Sequence, residues 1–139
     1  MSDLSSESGI SFFRASGQSM WPFVRDGQRL IVRAVPFPEL RVGDIIVYKA
    51  DAGIVCHRVV AKRGSGQQSY CFVRGDCTQG APERVEASMI IGRVCGIVYG
   101  TKSVQWHGFT SDIANRAILF IVPVIAFISA FLNRFKKRR

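Results

Sequence analysis

The sequence predicts a mainly β domain of the folded-over-sheet kind, followed by one apolar C-terminal helix. Three observations carry this. Residues 12–99 are made of short β-branched runs broken by Gly, Pro and Asp. Long helical periods are scarce in that stretch. After Gly100 a polar connector leads into an apolar run that ends in basic residues. At 139 residues the chain holds one domain with a real core and is too short for two.

Taken in order, residues 1–11 are Ser-rich and acidic rather than basic then apolar, so they read as a flexible leader and not as a secretory signal. The domain occupies 12–100, with strands expected near 29–35, 44–50, 54–62, 69–74 and 89–99. Asp26-Gly27, Pro36 with Pro38, Val42-Gly43-Asp44, residues 64–66 and residues 80–82 punctuate them. So many short strands call for a folded-over sheet or partial barrel.

A connector at 101–112 precedes a hydrophobic segment at 113–133 and a basic tail at 134–139. Residues 117–132 are 16 positions without a charge, and starting at Ile113 gives 20 with only Arg116. Arg116 can snorkel, and Pro123 is tolerable within a bilayer. The run has no polar face of the kind an interfacial helix requires, so a single membrane span is expected. The basic flank puts the tail in the cytoplasm and the β domain on the other side.

The net charge of +9 raises a nucleic-acid reading, but five of the 19 basic residues lie in the last six positions. The other 133 residues carry 14 basic against 10 acidic side chains. Basic and aromatic residues do not interleave into a stacking platform, so no nucleic-acid partner is expected. Four cysteines (Cys56, Cys71, Cys77 and Cys95) form no C-x-x-C pair, and His57 and His107 are the two histidines. No metal site or cofactor is expected. The cysteines read as buried free thiols or, outside the cytosol, as disulfide partners, with Cys71 and Cys77 able to close a short loop.

The candidate chemistry starts at Ser16-Gly17-Gln18-Ser19-Met20-Trp21-Pro22. Gly17 permits unusual dihedrals and Pro22 fixes the exit, so the turn exposes the Ser19 hydroxyl beside a free backbone N–H. A serine needs a positioned base to become a nucleophile. His57 lies in the otherwise apolar Ile54-Val55-Cys56-His57-Arg58-Val59-Val60, and an imidazole titrating near neutrality suits that task. Asp76, at a Gly-Asp turn closing a strand, is the first choice to orient the imidazole; Glu83 and Glu86 follow within ten residues. A turn serine, a hydrogen-bonded structural histidine and an Asx-turn aspartate are the ordinary alternatives for the same three residues.

Five short stretches then fall in a telling order: Gly17-Gln18-Ser19-Met20-Trp21-Pro22, Val42-Gly43-Asp44-Ile45-Ile46-Val47-Tyr48, His57-Arg58-Val59-Val60, Arg74-Gly75-Asp76 and Ile91-Gly92-Arg93-Val94-Cys95-Gly96. Together they resemble the type I signal peptidases, and His57-Arg58 is similar to the endoplasmic-reticulum and archaeal branch, which uses Ser and His. The resemblance implies a membrane-associated serine endopeptidase that removes signal or leader peptides after small residues, without metal or cofactor. Its partners would be a precursor polypeptide, membrane lipid and, as an open matter, further subunits.

It carries Ser19 as nucleophile, His57 as base and Asp76 as acid, with Glu83 a supporting candidate and the Ser19 N–H as oxyanion donor. The Ser-Gly-x-Ser-Met form puts Gly17 where the family has a hydroxyl, so side-chain help to the oxyanion comes from Ser16 or is absent. That form is closer to the related self-cleaving repressor peptidases, which use Ser and Lys. Lys49 or Lys62 would then serve, and strict alternation from His57 turns Lys62 to the opposite face. A catalytically inactive, membrane-tethered peptide-binding module is the non-enzymatic alternative.

Overall fold

The β-branched runs pair into a single antiparallel sheet in the computed structural model, which describes residues 2–7, 9–99 and 102–105. Its strands are β1 (Ser2–Glu7), β2 (Ile10–Arg14), β3 (Arg29–Arg33), β4 (Ile45–Ala50), β5 (Gly53–Arg63), β6 (Tyr70–Arg74), β7 (Glu83–Glu86), β8 (Ile90–Tyr99) and β9 (Lys102–Gln105). The spatial order is β1-β2-β3-β8-β4-β5-β6-β7, with β9 also on β8. The described residues contain short 3₁₀ turns and no α-helix. The mainly β class expected from the sequence is thus the one observed.

Four strands fall outside the expected set, β2 at Ile10–Arg14 among them. The leader expected to be flexible supplies β1, whose backbone pairs antiparallel with β2 across a bulge between Asp3 and Ser5. Main-chain groups along the outer edge of β2 need partners, and a ladder supplies them whatever the side chains. β7 is Glu-Arg-Val-Glu at the sheet edge, too short and charged to read as a strand. β9 arises in the polar connector. Residues 106–139, including His107, the apolar segment 113–133 and the basic tail, lie outside the described residues. Among the described residues no helix is long and apolar enough to cross a membrane.

β8 holds the fold together. One edge carries β3 from Arg93 to Val98, and the other carries β4 from Ile90 to Arg93 and β9 from Gly96 to Tyr99. Bulges at Ile31/Val32 and Val47/Tyr48 interrupt these ladders, and bulges increase local twist.

Two hydrophobic cores result, one on each side of β4. Ile45 and Val47 join Phe13, Leu30, Val32, Val94, Ile97, Met20 and Val24 in the first. Ile46 and Tyr48 join Leu40, Val59, Cys71, Val73 and Val85 in the second. Burial on both faces explains why Ile45-Ile46-Val47-Tyr48 reads as a continuous apolar run without alternation. Each such aliphatic or aromatic side chain taken fully from water contributes about 1.5–3 kcal/mol.

Candidate functional site

Between β2 and β3 the chain turns over residues 19–23. Buried Met20 and Val24 pin that turn into the first core, and the Val24 N–H donates to the Met20 carbonyl at 2.9 Å. Gly17 enters the turn at φ +91°, a conformation side-chain-bearing residues rarely adopt, and its N–H donates to Asp26 Oδ1 at 2.8 Å. The backbone leading to Ser19 is therefore fixed at both ends. Ser19 is half-buried, and its N–H donates to no acceptor among the described residues.

A second turn meets the first. The Cys77 N–H donates to the Ser19 carbonyl at 2.8 Å. A Cβ added to Gly75 would lie 2.8 Å from the Ser19 carbonyl oxygen and 3.1 Å from the Ser19 Cβ, so the absence of a side chain at Gly75 permits this approach. In the β5–β6 ladder Arg58 pairs with Arg74, the last residue of β6, so Gly75 follows the end of the ladder that joins β6 to the His57 strand. The Ser19 turn thus packs on the chain just beyond that ladder. It is pinned into the first core, with Phe23 against the Arg58 guanidinium, whereas His57 sits on the second-core face, and no hydrogen bond joins Ser19 to His57 among the described residues.

Beside Ser19 lies a small cleft of about 110 Å³, lined by Ala15, Ser16, Gly17, Met20, Val24 and the Ile54-Val55-Cys56 stretch just before His57. Ligand pockets for larger molecules run to roughly 300–1,000 Å³, so this one accommodates a small group.

His57 sits on the second-core face of β5, paired with Ile46. Its Nδ1 is 3.0 Å from the Tyr48 hydroxyl, and that hydroxyl donates to Glu83 Oε2 at 2.7 Å. Burial lowers the His57 pKa below its ordinary 6.5, against the opposing pull of Glu83 and Asp76. The shift favours the neutral imidazole over the charged one. Burial, reinforced by the Glu83 carboxylate, pushes the Tyr48 phenol far above its ordinary value, so it stays protonated.

Asp76 has a different role from the one expected. Its carboxylate grips Arg58, Oδ1 accepting from Nε at 2.8 Å and Oδ2 from Nη2 at 2.7 Å, with both side chains almost fully buried. Both oxygens are taken by a guanidinium on the opposite face of β5 from His57. Asp76 therefore acts on the imidazole through space, and the acid linked to His57 by hydrogen bonds is Glu83, through Tyr48. Arg58 also donates to the Gly43 carbonyl at 2.7 Å, tying the turn before β4 to the same ion pair.

Lys62 departs from its expected face as well. The β5–β6 register shifts between Val59 and Ala61, and beyond the shift Lys62 pairs with Cys71 of the second core. One extra residue reverses the alternation, so Lys62 shares a face with His57. Its ammonium is nevertheless occupied elsewhere, donating to the carbonyls of Phe37, Pro38 and Leu40. Lys49 is exposed. No hydrogen bond joins either lysine to Ser19 among the described residues.

Among the described residues no cluster of three or more His, Cys, Asp or Glu side chains is arranged to hold a metal. Cys56, Cys71, Cys77 and Cys95 are free thiols, Cys71 buried and Cys77 exposed. Burial raises the Cys71 thiol to about 11.

Family models, curated proteins and solved structures were compared with the chain, and none matches it.

Sequence reasoning missed Tyr48 and Gly75. Tyr48 carried a signal: a tyrosine inside an apolar strand run needs a partner for its hydroxyl once buried. Gly75 carried none, since its importance is steric and arises only when the two turns meet.

Proposed function

We propose that this chain is a membrane-associated serine endopeptidase of the signal-peptidase kind, with Ser19 as nucleophile and His57 as general base. The observation that carries the reading is the packing of the Ser19 turn on Gly75, one residue beyond the ladder that joins β6 to the His57 strand. An imidazole whose pKa burial lowers supports it, because only the unprotonated form can accept the serine proton.

The chemistry follows from the atoms present. Ser19 Oγ attacks the scissile carbonyl carbon while His57 takes the hydroxyl proton. The oxygen that becomes negative is stabilised by the Ser19 N–H, which no protein acceptor claims among the described residues. His57 then passes its proton to the departing amine, leaving an acyl-enzyme that water hydrolyses with the same imidazole as base. The small cleft beside Ser19 favours a small side chain before the scissile bond. On this reading the apolar segment 113–133 anchors the chain, the basic tail faces the cytoplasm, and the substrates are precursor polypeptides emerging on the opposite side.

The test is cleavage of a precursor with alanine before the scissile bond, using the full chain in detergent or vesicles. Ser19→Ala and His57→Ala should each abolish product formation while leaving the circular dichroism spectrum unchanged. Undiminished cleavage by either variant would overturn the reading.

A further inference from the structure

We propose that Tyr48 and Glu83 are positioning residues that fix the single proton of His57 on Nδ1 and leave Nε2 as its basic atom. The proposal rests on the Ser19–His57 reading above for its catalytic meaning, though the proton's location can be tested without any reaction.

The inference comes from counting hydrogens along one chain of contacts. A carboxylate has none to give, so the Tyr48 Oη–H points to Glu83 Oε2, 2.7 Å away. A hydroxyl has only one hydrogen. Toward His57 Nδ1, 3.0 Å away, the Tyr48 oxygen can then only accept. Nδ1 must carry the hydrogen of that contact, and a neutral imidazole has no second one. Nε2 is left with a lone pair.

The chain is also rigid where rigidity matters. Tyr48 is 1% exposed and packed in the second core, so its ring cannot swing away from His57. Glu83 starts the edge strand β7, where its ladder partner Val73 belongs to the same core. The charged groups acting on the imidazole are Glu83, from β7, and Asp76, from the turn after β6. Asp76 is committed to Arg58, which leaves Glu83 as the acid able to respond through hydrogen bonds. When His57 takes the Ser19 proton on Nε2, its Nδ1–H stays on Tyr48, and the Glu83 charge stabilises the imidazolium through the phenol. No proton passes to Glu83 in this step.

The experiment combines two readouts on the full-length protein. Ring ¹⁵N shifts of His57, assigned with a His107→Gln background, report the tautomer. The pH profile of kcat/KM reports the base. Above its pKa, wild-type His57 should show a protonated Nδ1 and a bare Nε2. Tyr48→Phe keeps the ring but removes the acceptor; it should mix the tautomers and lower kcat on the order of ten- to a hundredfold with little change in KM. Glu83→Gln keeps an acceptor for the phenol but removes the charge that raises the His57 pKa, so the acid limb should move to lower pH.

A His57 tautomer identical in wild type and Tyr48→Phe, or an acid limb unmoved by Glu83→Gln, would overturn the proposal. Should Tyr48→Phe not fold, Glu83→Ala decides by the same two readouts, because Glu83 is exposed. The ¹⁵N measurement repeated in Ser19→Ala separates the two ideas. An unchanged Nδ1–H signature there with cleavage retained would remove the peptidase reading and leave the proton assignment standing.

Discussion

His57 and Arg58 are neighbours on β5, and the two faces of that strand treat them oppositely. Arg58 is 4% exposed, its charge permanent and bound by both oxygens of Asp76. His57 is only half-buried, its pKa lowered by burial, and held through a phenol to an exposed glutamate. One side of the strand stores a fixed charge pair whose removal would leave an unpaired ion indoors. The other keeps a group that can gain and lose a proton without dismantling its surroundings. The lesson is that an acid near a candidate base need not be its partner: burial and geometry decide which carboxylate braces the scaffold and which tunes the site.

The largest expected effect lies on the Arg58 side. Asp76→Ala should cost about 3–5 kcal/mol of unfolding free energy, because it strands a buried guanidinium. Urea unfolding checks this, and a loss below about 1 kcal/mol would break the contrast with His57. Any loss of cleavage in that variant should accompany loss of fold.

Gly75→Ala comes next. Its new Cβ must displace the Ser19 carbonyl and Cβ, and such overpacking costs about 1–3 kcal/mol. Cleavage should fall further than stability does, since the displaced atoms belong to the proposed nucleophile's own residue. Parallel activity and unfolding measurements separate the two.

A third prediction concerns pH. On the proposed mechanism His57 is a base only when neutral, so kcat/KM should fall as pH drops through its pKa, with a midpoint below the ordinary 6.5. The folded state resists the proton more than the unfolded chain does, so stability should also decline as pH falls below about 6.5. A midpoint above that value would mean that the carboxylates outweigh burial. The smallest effect is reserved for an exposed pair. Arg84 and Glu86, at 2.8 Å but 56% and 46% exposed, should contribute no more than about 1 kcal/mol, read as the change in unfolding free energy of Arg84→Gln.

Much of the fold was legible because its strands obey local rules. The runs at 29–35, 44–50, 54–62, 69–74 and 89–99 correspond to β3, β4, β5, β6 and β8 with ends displaced by no more than two residues. β1, β2, β7 and β9 were not, and the edge strands among them owe their existence to the neighbour's unpaired backbone more than to their own side chains. The candidate residues could be named from the sequence, but the contacts between them could not. Ser19, His57, Asp76 and Glu83 could all be picked out, but sequence proximity to Gly75 favoured Asp76 over Glu83. That choice is set by Arg58 reaching across from β5, a tertiary event that no spacing announces.

The extra residue in β5 deserves a last consequence. In a pleated ribbon one inserted position acts as a parity switch: everything upstream keeps its side, and everything downstream changes. It lets Lys62 staple the carbonyls of Phe37, Pro38 and Leu40 from the same layer that holds His57. A shortened version lacking Val60 would send that ammonium to the opposite layer, and the loop across 36–40 would lose its clasp while the histidine stayed where it is.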